Sequence, residues 1–459
     1  MQRPELLSPA GTLRNMRYAF AYGADAVYAG QPRYSLRVRE NDFTLPNLET
    51  GIREAHALGR KFYLASNIAP HNAKLKTYLR DMEPVIALGP DALIMSDPGL
   101  IMLVREAWPD MPIHLSVQAN AVNWAAVKFW HRQGIERVIL SRELSLEEIE
   151  DIRYHVPEME LEVFVHGALC IAYSGRCLLS GYLNRRDPNQ GTCTNACRWE
   201  YKTHEGKTDI TGDIIPKDPG VWTPAQSRIA SDQVASTEVA SPVLGQGEPA
   251  DGVWLLEDPN RPGEHMPAWE DEHGTYIMNS KDLRAVQHIE RLTRMGVHSL
   301  KIEGRTKSHY YVARTAQTYR QAINDAVEGR PFDPDLMHQL ENLANRGYTE
   351  GFYRRHTHDQ YQNYTRGRSV STQQQFVAEA EGLDNGRLLL RAKNKFRVGD
   401  SVELMTPEGN LSFAVEDIRL QKNGRTIEEV PGSDYRVSLA VPAELPASAG
   451  EFGLLMRDL

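Results

Sequence analysis

Seven times before residue 170, a short apolar strand is followed by, or itself follows, an amphipathic helical segment. ELLSPAG leads into LRNMRYAFAYG and then ADAVYAG; KFYLASNI precedes AKLKTYLRDMEPVIALG; DALIMSDPG precedes LIMLVREAW. PIHLSVQAN precedes WAAVKFWHRQG, RVILSRELS precedes LEEIEDIRYHV, and MELEVFVHGAL is seventh. Strands that stay apolar without alternating are buried on both faces, as in a parallel sheet whose crossover helices often end in Gly. This many units predict an α/β chain with a (β/α)8-like barrel rather than an open sheet. Two segments compete for the eighth strand, TYIMNSKDL and HSLKIEGRTK. The second is preferred, because the helical segment YYVARTAQTYRQAINDAVEG follows it.

The rest of the 459-residue chain divides by pattern. Residues 1–345 are read as the barrel, with a cysteine-containing loop at 167–199 and a polar Gly/Pro/Asp/Ser-rich insertion at 200–274. Residues 346–370 form a basic, aromatic connector, and 371–459 carry short strands such as RLLLRA, DSVELMT and DYRVSLAVP. These predict a small all-β C-terminal barrel domain. A 41% hydrophobic share and 25% charged share are ordinary for a water-soluble globular protein, and no run of about 18 apolar residues exists to cross a bilayer. The N-terminus lacks the apolar core of a secretory signal, so a cytoplasmic protein is expected, and there disulfides are disfavoured. A net charge of -9 argues against broad attraction to nucleic acid, although a local basic patch can still supply it.

Barrel chemistry sits at the C-terminal ends of the strands. There this sequence places Ser8, Asn67, Asp97, Gln118, Asn120, Arg142, Glu143, His166, Asn279, Lys301, Glu303 and Arg305. Any one of these is as readily a helix cap or an ion-pair partner as a functional group. As a set, Arg142, Lys301 and Arg305 suit a small carboxylate ligand, with Gln118 and Asn120 as further substrate contacts. Lys301, Glu303 and His166 are the candidate catalytic residues, the last two as general bases.

All four cysteines, Cys170, Cys177, Cys193 and Cys197, follow the seventh strand with spacing C-x6-C-x15-C-x3-C. Sets of four thiolates hold zinc or a [4Fe–4S] cluster. Only Cys193 and Cys197 are as close as a zinc knuckle requires, which favours the cluster. Burial as ordinary core residues fits poorly with neighbours such as Gly175, Gly181, Asn184, Gly191 and Asn195. A Cys170–His166 protease pair is a further alternative that leaves three cysteines unexplained, and a noncatalytic RNA-binding protein with structural zinc is another.

The connector FYRRHTHDQYQNYTRGR interleaves Arg354, Arg355, Arg366 and Arg368 with Phe352, Tyr353, Tyr361 and Tyr364. Arginines meet phosphates and aromatic rings stack on unpaired bases. The competing reading is a connector whose aromatics dock against a domain. Arg185 and Arg186, inside the cysteine loop, are added candidates for nucleic acid.

The run from Glu162 through Phe164, Gly167, Ala168, Leu169, Cys170, Gly175, Cys177 and Leu179 to Ser180 resembles the signature of the peptidase U32 family. The opening PELLSPAGTLRNMRYAFAYGADAVYAG and the later HGTYIMNSKDL and SLKIEGRTKS are similar to it as well. Within the family the resemblance is to members that hydroxylate tRNA. It implies prephenate-dependent, oxygen-independent 5-hydroxylation of the wobble uridine in the anticodon loop, with help from the iron–sulfur assembly machinery. It also implies that Cys170, Cys177, Cys193 and Cys197 ligate a [4Fe–4S] cluster. Prephenate is a dicarboxylate, which suits the cationic strand ends. The chain shows neither an H-E-x-x-H zinc motif nor a G-x-S-x-G elbow of a hydrolase.

Overall fold

The computed structural model describes residues 2–31, 33–36, 42–169, 281–345, 347–354, 374–441 and 444–459, with the backbone of short strands between 202 and 275. Eight parallel strands close on themselves: β1 (Glu5–Pro9), β2 (Ala26–Gly30), β3 (Lys61–Ala65), β4 (Ala92–Met95), β5 (Ile113–Leu115), β6 (Arg137–Ile139), β7 (Glu160–Ala168) and β8 (Ser299–Ile302). β8 pairs with both β7 and β1, which closes the barrel. HSLKIEGRTK is therefore the eighth strand. The competing segment supplies a short strand, Asp282–Arg284, antiparallel to the far end of β7 and outside the ring.

Helices α1 (Leu13–Ala21), α2 (Leu45–Ala57), α3 (Asn72–Ile86), α4 (Pro98–Ala107), α5 (Trp124–Arg132) and α6 (Leu146–His155) alternate with these strands. Four of these six helices start at a side chain that satisfies free backbone N–H groups. Thr12, Asp97 and Asn123 each cap a helix, and Ser145 with Glu148 forms a reciprocal capping box. A short α7 (Ile289–Arg294) precedes β8, and the 20-residue α8 (His309–Glu328), capped by Ser308 and ended by Gly329 in the left-handed region, follows it. Leucine, isoleucine, valine and alanine side chains on the outer strand faces pack beneath the helices as one continuous core.

The end of β7 departs from regular pairing. Lys301 lies opposite Phe164, but Ile302 lies opposite His166, so Val165 is the extra residue of a bulge. The bulge breaks the inward-outward alternation, and His166 leaves the barrel interior. One residue on, Gly167 has φ +103°, and a Cβ there would stand 2.4 Å from the Glu303 carbonyl oxygen. Only glycine lets β7 pass this close to the end of β8.

Between β7 and β8 the polar insertion contains an antiparallel four-stranded sheet, in the order His265–Ala268, Val253–Glu257, Lys202–Thr208 and Ile214–Pro216. The C-terminal region is all-β and antiparallel: eight strands run in the order Gly409–Ala414, Ser401–Thr406, Leu454–Asp458, Gln374–Asp384, Arg387–Ala392, Arg436–Ala440, Ile418–Leu420 and Thr426–Ile427. Among the described residues no pairing joins the two outermost strands. A second core, including Val377, Leu388, Leu390, Phe396, Leu404 and Leu439, fills it.

This domain docks on α1 and α8. Arg314, fully buried, donates to Glu403 (3.0 Å), and the Tyr22 hydroxyl donates to the Phe452 carbonyl (2.9 Å). Tyr310 stacks on Phe376 with ring centroids 5.6 Å apart. Buried Glu379 gathers Arg14, Arg391, Lys393 and His309; despite burial, hydrogen bonds from His309, Arg391 and Arg14 hold its carboxyl below the usual range.

Gly167→Ala is expected to destabilise the protein by about 3 kcal/mol or more, because it combines backbone strain with a steric overlap that must be relieved by moving β8. Urea denaturation of the variant against wild type measures it.

Candidate functional site at the barrel mouth

The barrel interior is charged along one side. On β7, Glu162 and Phe164 face inward, and on β8 Lys301 lies beside Phe164. Lys301 Nζ is 2.8 Å from Glu162 Oε1, and both groups are buried. Glu162 Oε2 is 3.3 Å from Arg137 Nη1, which also stands 2.6 Å from Glu5 Oε1. The Tyr63 hydroxyl donates to the second Glu5 oxygen at 2.7 Å. The four charged groups thus alternate in sign from the barrel floor to the mouth. Burial alone would raise the Glu162 carboxyl, but Lys301 and Arg137 more than offset it and hold it below its ordinary value. Burial lowers the Lys301 ammonium in spite of Glu162.

Above this ladder the strand ends converge on two aromatic rings. Lys301 Nζ lies 4.3 Å from the centre of the Tyr28 ring, and the Arg142 guanidinium lies 3.8 Å from the centre of Phe164. Arg142 Nη2 is 3.6 Å from Glu303 Oε2, and the Tyr28 hydroxyl is 3.3 Å from the same oxygen while donating to the Ile302 carbonyl at 3.0 Å. Arg305 donates to Ser35 Oγ at 2.8 Å. Arg142, Lys301, Glu303 and Arg305, singled out in the sequence, therefore meet in one place. Tyr28 and Phe164 were missed as site residues; the signal was an aromatic side chain on the inward face of its strand.

A neutral cluster adjoins the cationic one. Asn67, after β3, donates to Ser116 Oγ (3.2 Å) and Gln118 Oε1 (3.1 Å), both after β5. Asn120, with φ 52°, donates to the Gln118 carbonyl at 2.9 Å, so its amide closes a turn. Cys170, Cys177, Cys193, Cys197, Arg185, Arg186, Asn279, Arg355, Tyr361, Tyr364, Arg366 and Arg368 lie outside the described residues. Arg354 is exposed and pairs with Glu350 at 3.2 Å, whereas Tyr353 is buried and donates to the Phe164 carbonyl. For Tyr353 the docking alternative is the one the structure takes.

Residues 11–363 match peptidase family U32, and residues 372–456 match the peptidase family U32 C-terminal domain. The chain belongs to peptidase family U32. Within this U32 resemblance, tRNA hydroxylation protein P of Escherichia coli strain K12 is 66% identical over 459 residues, covering 100% of this chain and 97% of that protein. Its namesake in Haemophilus influenzae is 63% identical over the same 459 residues and 96% of its own length. The 23S rRNA 5-hydroxycytidine C2501 synthase of Escherichia coli is 27% identical over 97% of this chain and 57% of its own.

His166 stands apart from the mouth of this U32 barrel. The bulge at Val165 turns its ring among Tyr311, Tyr319 and Tyr348, with centroids 5.7, 5.6 and 5.5 Å away. Nδ1 is 3.3 Å from the Tyr319 hydroxyl, which donates to the Val165 carbonyl at 2.6 Å. Burial, reinforced by Lys307 and Arg284, pushes the imidazole down to about 3. A histidine so placed braces β7 against α8, and it is a poor base for either hydroxylation or peptide cleavage.

Because His166 takes up a proton near pH 6.5 when unfolded but only near 3 when folded, the unfolded state binds more protons between those values. Stability therefore falls as pH drops below about 6.5. His166→Gln is expected to flatten the dependence of unfolding free energy on pH between about 6 and 4, by at most ~1.4 kcal/mol per pH unit. Urea titrations at stepped pH read the slope directly.

Proposed function

We propose that this protein is a tRNA-hydroxylating enzyme whose reaction takes place at the barrel mouth, and that it forms 5-hydroxyuridine at the wobble position with prephenate as co-substrate and without oxygen. The observation that carries the reading is the convergence of Arg142, Lys301, Glu303 and Arg305 around Tyr28 and Phe164 in a chain that aligns from end to end with two tRNA hydroxylation proteins. No helix among the described residues is long and apolar enough to cross a membrane. The wobble base is unpaired in its loop, so presenting it to the mouth costs less than extracting a base from a duplex.

The chain's own residues divide the work by charge. The guanidinium groups of Arg142 and Arg305 bind and orient the carboxylates of prephenate. Lys301, committed to Glu162, supplies fixed positive potential beneath them and needs no rearrangement as the ligand enters. Glu303, at 3.6 Å from Arg142, is the mouth carboxylate that can hold a proton. The Phe164 and Tyr28 rings exclude water from the cations and offer faces to a planar ligand. Arg185, Arg186, Arg354, Arg355, Arg366 and Arg368, with Tyr361 and Tyr364, contact the anticodon arm.

Installing oxygen at C5 of uracil removes two electrons from the base, and side chains alone offer no acceptor. The donor chemistry suits a [4Fe–4S] cluster: the chain has four thiols, all after β7, whose Gly167 packs against the Glu303 carbonyl at the end of β8. Among the described residues no group of three or more His, Cys, Asp or Glu side chains makes an alternative metal site. Cys170, Cys177, Cys193 and Cys197 would hold the cluster, which when bound supplies the redox chemistry. The iron–sulfur assembly machinery would load it.

Protein purified without oxygen is expected to carry about four iron and four sulfide per chain and to form 5-hydroxyuridine in tRNA under argon only when prephenate is added. Changing any of the four cysteines to Ser is expected to lower the iron content and abolish product. Arg142→Ala with Arg305→Ala keeps the iron and raises the prephenate requirement about tenfold or more, the loss of two charge-assisted contacts. About one zinc per chain and no modified nucleoside overturns the reading.

A further inference from the structure

The neutral side of the mouth holds a chain of hydrogen bonds whose direction is fixed from one end. The Leu36 backbone N–H can only donate, so the Asn67 atom 3.3 Å from it is the carbonyl Oδ1. That turns Asn67 Nδ2 toward Ser116 Oγ (3.2 Å) and Gln118 Oε1 (3.1 Å). Ser116, accepting from Asn67, donates its own proton to Gln118 Oε1 as well. With two donors on its oxygen, the Gln118 amide has one orientation. Its Nε2 has no hydrogen-bond partner among the described residues. Asn67 and Ser116 are buried while Gln118, which follows the C-terminal end of β5, is half-buried, so the chain is anchored inside and ends in a donor that is not enclosed. Ser35, next to Leu36, accepts from Arg305, so the loop that orients Asn67 also meets the cationic cluster.

We propose that Gln118 reads the Watson–Crick edge of the target base. Its Nε2 donates to a carbonyl oxygen at the 4-position, as in uracil, and meets the 4-amino group of cytosine donor to donor. The assignment rests on the reading that an RNA base enters this mouth. A site built to bond one polar group discriminates strongly against an analogue that leaves its own buried group unpaired. Asn67 and Ser116 are positioning residues, since they act only by fixing the Gln118 amide.

The test uses the full-length, iron-replete protein and two anticodon stem-loop RNAs that differ only in U or C at the wobble position, with binding read by fluorescence anisotropy and product by nucleoside mass spectrometry. Wild type is expected to favour the U loop by about tenfold or more. Gln118→Glu keeps an acceptor for Asn67 and Ser116 but turns a second acceptor to the mouth, and the preference is expected to vanish or reverse. Asn67→Asp leaves residue 118 untouched. Its Oδ1 still accepts from Leu36, while Oδ2 now accepts from Gln118 Nε2, flipping the amide so that the same shift toward cytosine follows. Melting temperatures confirm that the variants are folded, and either folded variant suffices as a test. A wild-type U-over-C ratio retained by folded variants overturns the assignment alone. Binding and modification of neither RNA by wild type overturns the tRNA reading and the assignment with it.

Discussion

The Glu162–Lys301 pair lies where the barrel closes, and most of what is specific about the mouth depends on it. β7 and β8 are joined by backbone pairing, but it is this contact between buried charges that joins them inside the ring. Removing one partner of such a pair leaves the other charge uncompensated and costs about 3–5 kcal/mol, whereas removing both is often near neutral. The pair is thus weak evidence of selection for stability alone. Its more distinctive consequence is electrostatic: a fixed ammonium beneath Tyr28 and Phe164, with Arg142 and Arg305 above. Arg137 and Glu5 extend the ladder downward, so Glu162 is held from both sides and cannot turn away from Lys301.

The all-β domain bears on the same elements from outside. It packs on α1 and α8, and α8 follows β8 directly and touches β7 through Tyr311, Tyr319 and His166. Arg314 to Glu403 and Tyr22 to Phe452 fix α8 and α1 against that domain. The β7–β8 junction is therefore clamped between a charged interior and an aromatic exterior. Gly167, with no side chain, allows the two strand ends to approach within that clamp.

The barrel was legible because strands buried on both faces read as unbroken apolar runs, and the eighth strand because a long helical segment follows it. Arg142, Lys301, Glu303 and Arg305 were legible for the same positional reason, being polar residues at strand ends. The lower ladder was not: Glu5, Arg137 and Glu162 look like ordinary strand-edge charges until closure places them inside one ring. His166 misled because strand alternation puts it next to the mouth, and the Val165 bulge that turns it outward has no mark in sequence beyond the glycine that follows. The hydrogen-bond direction through Asn67 and Ser116 to Gln118 depends on a loop backbone N–H, which no residue pattern discloses. Tyr353 reads equally as a base-stacking ring or a docking ring, and only its burial decides.

The most direct test of the account is the turnover of a Lys301→Met/Glu162→Gln double variant, measured as 5-hydroxyuridine formed in tRNA alongside its urea denaturation curve. Stability is expected to lie closer to wild type than that of the Glu162→Gln single variant, because no buried ammonium is left unpaired, with turnover reduced at least about a hundredfold by loss of the fixed charge beneath the mouth. Wild-type turnover in a folded double variant would contradict it, and would reduce the buried pair to a structural element of the barrel.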